Sequence, residues 1–577
     1  MSLINRFVGL AVVTLVVSCG QEPESQSGDW ALTNGRIYTV DEDQPWAEAV
    51  VIRDGEFLYV GDDAGAQSIV GDGAKVTDLR GRMVIPGMVD GHAHPGHFGL
   101  IRFDARFEAG TRAEFMKELE TYAMENPGDG WLRGCCWPVQ EFVDGKLGPD
   151  RSELDPIFPE RPVWFSSSAG HSFWLNSRAL AELGLDEDSQ DPKFPVAAYK
   201  RDEGGRLTGW VKEGAAWVRE ADVFEVDTDI HEASMREMLQ ALSAYGVTAL
   251  YDAGNKGFED RVYAFLSRLD KAGELPLRYE GTYRISIPTH VSQAIPEMRR
   301  YRETYGGERV KFNTIKLFMD GIHEDRASAV LEPFADDPEY HSDTVLSVEE
   351  LKNFLLDLHV EKFDLHVHAI GDLATKRTLD AVEQARVAVG EDFYPRVSLA
   401  HLQTVEPGDM PRFEELEVSA NFTPWWSGVE DPDPIGRGLA DARHYVQFPA
   451  KAIADAGGKL TFSSDTSSLD GLSPFLGMQV THTRQYPREW LRSDHDPDAI
   501  LEPASEMMPI DQLIRGYTLN GAYQLRMEDR IGSIETGKAA DLTILGENLF
   551  EVDRYAIHRV RPDAVVMDGV LMHGNPD

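Results

Sequence analysis

Between residues 83 and 465 the chain alternates short apolar runs with longer amphipathic stretches, and that alternation leaves few folds open. The apolar runs are Met83–Val89, Val247–Asp252, Leu277–Arg284, Val310–Met319, Asp364–Ile370, Val397–Leu402, Val418–Thr423 and Lys459–Asp465, eight in all. Helix-like segments lie between them, among them Ile230–Tyr245, Phe258–Ala272, Val348–Val360 and Leu373–Val389. Apolar strands separated by amphipathic helices pack as a parallel sheet. Eight such units in order predict an α/β fold, a (β/α)8 TIM barrel, with its chemistry at the C-terminal strand ends.

The flanks read differently. Short strands with turn signals fill residues 30–83 (Ala31–Thr39, Ala49–Arg53, Phe57–Gly61 and Lys75–Asp78), with Asp54–Gly55 as a hairpin turn. The texture returns in Ala540–Leu545, Asp563–Met567 and Val570–His573 around Asp568–Gly569. The two ends, 30–83 and 531–577, therefore predict one small β-sandwich domain, and 84–530 the barrel inserted into it. The stretch 95–229, between the first and second barrel strands, is too long for a simple connection and predicts a subdomain over the site mouth. Its tryptophans, Trp131, Trp137, Trp164, Trp174, Trp210 and Trp217, read first as core and second as substrate wall.

At the N-terminus Arg6 precedes the apolar run Phe7–Val17, too short to span a bilayer and suited to a signal-peptide core. Val16-Val17-Ser18-Cys19 resembles the bacterial lipobox, which predicts a signal peptide over 1–18, a lipidated Cys19 and a flexible tether over 19–29. The chain is then an exported, membrane-anchored lipoprotein facing the periplasm or cell exterior, touching the membrane only through Cys19; Gly20 leans toward the outer membrane. A plain signal peptide with an incidental cysteine is the alternative. A net charge of −42, from 98 acidic and 56 basic side chains, excludes nucleic acid as a natural partner. The remaining cysteines, Cys135 and Cys136, read as buried structural residues, with a disulfide between adjacent residues as the lesser reading.

The first barrel strand runs into His92-Ala93-His94. Alternate strand residues share a face, so these imidazoles can grip one metal ion from a rigid strand end. Alone, the pair could equally be two polar residues at a strand end; other strand ends decide. They add Lys316 and Asp320 near the fourth, His368 on the fifth, His401 on the sixth and Asp465 on the eighth. His366 shares the strand face of His368 and competes with it, with a place deeper in the barrel expected.

This set resembles the amidohydrolase superfamily, and several segments resemble its amidohydrolase family 3 branch, which includes N-substituted formamide deformylases. The segments are Pro86–His94, Lys316–Gly321, His368–Asp372, Ser463–Asp465 and Ile531–Asp541, and the likeness runs from about residue 30 to the C-terminus. The resemblance implies that His92 and His94 hold one Zn²⁺ with Asp465, that His368 and His401 hold a second, and that Lys316, carboxylated by CO₂, bridges the two. An ion pair with Asp320 is the plainer reading of Lys316. The implied reaction is hydrolysis of an amide, formamide or related N-acyl C–N bond by a metal-bound hydroxide, with Asp465 carrying the proton to the leaving nitrogen. The resemblance places His171 as a donor to the carbonyl oxygen, with a histidine satisfied at the surface as the alternative, and Glu213 one layer out from the site; Asp252 reads as a cap or support, and a homodimer follows by the same resemblance. The insertion's aromatics, with Trp425 and Trp426, point to a small-molecule amide with an apolar or aromatic group.

Two departures from the family pattern fall at the site. Ala400 stands before His401 where relatives carry an acidic residue, and the loop from Asp320 to Arg326 lacks the usual small residues. Two other readings stay open: a mononuclear zinc deaminase-like member, and a lipid-anchored binding protein without turnover.

Overall fold

The computed structural model describes residues 29–577 apart from 72, 99–104, 108–110, 144–147, 193–197, 214–226, 256, 336–337, 340–342, 430–438, 440–445, 467–468, 470 and 492–495. The expected signal peptide, Cys19, the tether up to residue 28 and Trp217 lie outside the described residues. Among those described, no helix is long and apolar enough to cross a membrane.

The central strands form two parallel ladders. One joins β1 (Met88–Ala93), β2 (Val247–Asp252), β3 (Arg278–Glu280) and, beyond β3, β5 (Val310–Lys311); the other joins β4 (Arg284–Ile285), β6 (Thr314–Phe318), β7 (Asp364–Ala369), β8 (Val397–His401), β9 (Ser419–Phe422) and β10 (Leu460–Phe462). The expected third and fourth strands are thus each split in two. Side chains take the place of backbone partners at the split. The Glu280 carboxylate accepts from the amides of Asn313 and Thr314, and Thr282 Oγ1 accepts from Lys316 N at 2.9 Å while donating to Thr314 O at 2.7 Å. The outer edges of the two ladders meet through Asp465 N to His92 O at 2.8 Å and His94 N to Thr466 O at 3.0 Å.

Helices α1 (Thr228–Ala244), α2 (Glu259–Lys271), α3 (Val348–Glu361) and α4 (Asp372–Val389) lie between the strands in sequence. In α3, Ser347 and Glu350 form a reciprocal capping box, and Leu351, Phe354, Leu355 and Leu358 are buried. That spacing places all four on one helix face. Each contributes roughly 1.5–3 kcal/mol by leaving water.

The two chain ends share a sheet. Its order is Val570–Gly574, Pro562–Met567, Leu542–Leu545, Met83–Pro86, Arg36–Tyr38 and Trp46–Ala47. A second sheet, Glu56–Gly61, Ala49–Arg53, Trp30–Thr33 and Lys75–Asp78, packs on it through Trp30, Leu32, Ile52, Phe57, Val84 and Ile544. The single strand expected over Ala31–Thr39 is two, because Asn34 turns into the left-handed region (φ 54°) and sends the chain from one sheet to the other. Gly87 marks the passage to the central ladder: its N–H donates to Asp541 O, the next N–H to Gly246 O, and a Cβ there would strike Thr248 and Asp541.

The segment after β1 carries its own sheet, ordered Ala198–Arg201, Leu207–Lys212, Ser172–Leu175, Val163–Ser167, Leu132–Trp137 and Ala105–Arg106. Trp137, Trp164, Trp174 and Trp210 are buried in it, so these four are core. Cys135 and Cys136, read as separate buried residues, are instead joined to each other by a disulfide where the register against Val163–Ser167 shifts. Cys136 takes a positive φ of 85° in that bulge, which leaves the two sulfurs on one side of the strand.

Candidate metal centre

Strand parity sets the site. Asp90, His92 and His94 alternate along and just beyond β1, Lys316 and Phe318 along β6, and His366 and His368 along β7, while His401 closes β8. Parallel neighbours share faces, so Lys316 lies directly opposite His366, and Arg284 on β4 opposite Lys316.

Asp465 is the hub. Its Oδ1 lies 3.3 Å from His92 Nε2 and 3.4 Å from His94 Nε2, and its Oδ2 lies 3.6 Å from His401 Nδ1. One donor atom from each of His92, His401 and Asp465 falls within 4.8 Å of the others. Lys316 Nζ sits 3.2 Å from His92 Nε2 and is fully buried. His368 joins the cluster as a ring, with its centroid 4.6 Å from that of His401, but its Nε2 faces Asp320 Oδ1 at 3.8 Å rather than Asp465. Both His401 (φ 79°) and Asp465 (φ 47°) hold left-handed backbone, which costs a residue with a Cβ about 1–2 kcal/mol. Strain of this kind at two strand ends of one rim marks a site whose geometry the surroundings impose.

The remaining candidates support the cluster. His366 turns its Nε2 to His92 Nδ1 at 2.8 Å and its Nδ1 to Ser398 Oγ at 2.7 Å, so it lies behind His92. His94 Nδ1 lies 3.4 Å from Gly254 O, which leaves Nε2 for Asp465. Asp320 makes no ion pair with Lys316; it accepts from the amides of Ala329, Ile370 and Gly371 at 2.8–3.0 Å and so ties the loop after β6 to the loop after β7. Asp252 accepts from Gly254 N and Tyr279 Oη, a supporting place. Asp90 accepts from Ser464 N, Ser464 Oγ and His92 N, clamping β1 to the segment after β10.

Burial governs the charges. It pushes Lys316 down to about 7, with Arg284 adding to the fall and Asp465 opposing it. Burial, then the charge of Lys316, holds His92 and His366 well below the usual imidazole range; for His368 and His401 burial again leads. Burial raises the Asp465 carboxyl, but the His94 hydrogen bond and the charges of His94 and Lys316 outweigh it and keep the group below its ordinary value. At neutral pH the rings of His92, His366, His368 and His401 are therefore neutral, the form in which imidazoles bind metal.

The inserted segment reaches the same place. His171 Nδ1 lies 2.8 Å from Glu213 Oε2, and its ring stands 5.9 Å from that of His368. Burial lowers the His171 pKa, but Glu213 outweighs this, and the net shift is upward. Trp426 stacks on His401 at 5.1 Å, and Trp425 donates its indole N–H to Ser464 O at 2.7 Å. The sequence reading did not single out Ser398, Arg284 or Asp325. Ser398 and Arg284 could have been found from strand parity, being the register partners of His366 and Lys316. Asp325, which accepts from Ser172 Oγ at 2.7 Å across 153 residues, carries no local signal.

The donor set fits a divalent metal. It is built of nitrogen and oxygen ligands of the kind zinc takes. Two buried ring nitrogens, His368 Nε2 and His401 Nδ1, have no hydrogen-bond partner, a cost of about 1–3 kcal/mol each that a cation would remove.

The sequence pattern of the family described as "Amidohydrolase family" matches residues 75–573. The chain is similar to "Protein LONG AFTER FAR-RED 3" of Arabidopsis thaliana, 27% identical over 547 residues, which cover 92% of this chain and 89% of that protein. It is similar to the N-substituted formamide deformylase of Arthrobacter pascens, 24% identical over 562 residues, 95% of this chain and 99% of that protein. Its fold resembles the crystal structure of an uncharacterized metal-dependent hydrolase from Pyrococcus horikoshii OT3, with a TM-score of 0.67 and 21% identity over 91% of this chain and 99% of that one. A match over this much of the chain shows that it belongs to the amidohydrolase family and is a hydrolase acting on carbon–nitrogen bonds.

Proposed function

We propose that this hydrolase cleaves the amide-type C–N bond of a small N-acyl or N-formyl substrate. The observation that carries the reading is the convergence of His92, His94 and His401 on the Asp465 carboxylate, with Lys316 Nζ against His92, at the C-terminal ends of parallel strands. Likeness along nearly the whole chain to an N-substituted formamide deformylase supports the choice of an N-formyl or N-acyl group. We read the two ladders as one closed (β/α)8 barrel; the hydrogen bonds between the ends of β1 and the segment after β10 support this closure. We read residues 30–83 and 531–577 as the β-sandwich domain, 84–530 as the barrel and 95–229 as the inserted subdomain, with the first boundary moved to Gly87 because Met83–Pro86 pairs with Leu542–Leu545 in the sandwich.

In this reading His92, His94 and Asp465 would hold one Zn²⁺, His401 and His368 would hold a second, and Lys316, if carboxylated, would add a ligand shared by the two. Bound there, zinc supplies Lewis acidity toward a carbonyl oxygen and lowers the pKa of water. The chain does the rest. Asp465, ionised at neutral pH, accepts a proton and returns one to the departing nitrogen. His171 presents an N–H to the carbonyl oxygen. Trp425 and Trp426 wall the side next to His401 and suit an apolar or aromatic substituent.

The tight grouping of His92, His401 and Asp465 favours a second reading, one zinc and a deaminase-like reaction. Metal content per chain separates the two. About two equivalents, with turnover of N-substituted formamides or N-acyl amines, support the first reading; about one equivalent, indifferent to Lys316→Ala, supports the second. No metal, even after incubation with zinc and bicarbonate, overturns both.

We further propose export as a lipoprotein anchored at Cys19; the apolar run Phe7–Val17 before Ser18-Cys19 supports it.

A further inference from the structure

His171 and Glu213 are tied twice. The amide of Glu213 donates to His171 O at 2.8 Å, and Glu213 Oε2 lies 2.8 Å from His171 Nδ1. The second carboxylate oxygen, Oε1, accepts from the amide of Ile322 at 3.2 Å, in the loop after β6, the strand of Lys316. Gly321 permits that approach, since a Cβ on it would strike Glu213 Oε1. One carboxylate therefore spans the inserted segment and the strand rim, with one oxygen for each.

The arrangement is expensive. Glu213 is wholly buried, and it holds φ at 50°, a left-handed conformation just past the strand Leu207–Lys212. That backbone costs about 1–2 kcal/mol, and a buried carboxylate costs several more before its hydrogen bonds are counted. An apolar side chain would fill the same space at lower cost, so burial alone gives no reason for an acid there. The seating of the segment has other means as well. Ser172 Oγ donates to Asp325 Oδ2, and Lys212 Nζ to Asp325 O, without touching the imidazole. What Glu213 adds is the orientation of one ring that stands beside His368.

We propose that Glu213 is a positioning residue: it holds His171 with Nδ1 protonated and the opposite ring edge toward the metal centre, and it registers that ring to the loop after β6. This rests on the reading of His171 as the donor to the substrate carbonyl oxygen. The inserted segment is then part of the active site, delivered as a unit with the rim. Both partners of Glu213 are donors, so only a carboxylate satisfies both. A carboxamide accepts from one and meets the other with its own N–H₂.

The test compares Glu213→Ala, Glu213→Gln, His171→Ala and Ser172→Ala in the full-length, metal-loaded protein. Histidine ring ¹⁵N spectra, with the His171 signal identified by its loss in His171→Ala, read the tautomer directly. The expected result is a proton-bearing Nδ1 on His171 that survives Ser172→Ala and is lost in Glu213→Ala. In the same variants kcat falls about 10–100-fold for Glu213→Ala with KM little changed, and less for Glu213→Gln. In the His171→Ala background Glu213→Ala adds nothing further. An unchanged His171 signal in Glu213→Ala, or effects that multiply in the double variant, overturns the inference. If the ring signal follows Glu213 while His171→Ala leaves kcat intact, the donor reading of His171 falls and the positioning stands.

Discussion

His92 and His366 share a hydrogen bond, Nδ1 to Nε2 at 2.8 Å, which places His366 behind His92. His366 is itself held by Ser398 Oγ at 2.7 Å. The pair forms a relay from β8 through β7 to β1 that fixes the ring of His92 with Nε2 beside Asp465 and Lys316. Partners of this kind fix the tautomer and the aim of a metal-binding imidazole. His366→Ala is therefore expected to weaken zinc binding about 10–100-fold, and Ser398→Ala less. Competition with a chromogenic chelator measures it; equal affinity in His366→Ala and the parent would remove His366 from the centre.

Lys316 is expected to carry the metal stoichiometry. Lys316→Ala should lose most of the bound metal, and protein prepared with added bicarbonate should bind more than protein prepared without it. Elemental analysis reads both. Full metal content in the variant would sink the carbamate bridge.

Glu280 should impose a pH dependence on stability. Burial, opposed by hydrogen bonds from Asn313 and Thr314, pushes its carboxyl up from 4.5 to about 7. Between those values the folded chain keeps a proton that the unfolded chain has released. Stability therefore falls as pH rises through that window, by roughly 3 kcal/mol at 1.36 kcal/mol per unit. Glu280→Gln should abolish this slope. Denaturant titrations from pH 4 to 8 compare the two proteins, and parallel curves would show that the group ionises alike in both states.

Trp426 stacks on His401, so its removal should be felt in substrate choice. Trp426→Ala is expected to raise KM for N-acyl amines with aromatic groups about tenfold, and to change KM for N-methylformamide little. Equal changes for both would mean that Trp426 acts only through His401.

Cys19 should be lipidated in a bacterial host. Labelled palmitate is expected to enter the parent protein and to be absent from Cys19→Ser, which should also leave the membrane fraction. Label in both would place the modification elsewhere.

Much of the candidate site is legible in the sequence, because it is written in local patterns. His92 and His94 stand two apart on one strand, and Lys316, His368, His401 and Asp465 fall in the last residues of apolar runs, where the chain turns from strand to loop. The splitting of the third and fourth strands was not legible. It depends on Glu280 and Thr282 taking the amides of Asn313, Thr314 and Lys316, a competition between side chain and backbone that no periodicity records. The disulfide between Cys135 and Cys136 is not legible in a local pattern either, since it accompanies a register shift against Val163–Ser167 and a positive φ at Cys136.

The sequence by itself determined the alternation of apolar strands with amphipathic helices, which side chains stand near strand ends, and which family the chain resembles. Hydrophobic period and residue type are local properties, and they survive in one dimension. Tertiary structure alone decided the assignments: that His366 supports His92, that Asp320 accepts backbone amides and leaves Lys316 alone, and that Glu213 reaches both His171 and Ile322. Those depend on which of several equivalent donors lies within about 3 Å after the chain has closed on itself, and only packing across hundreds of residues sets that distance.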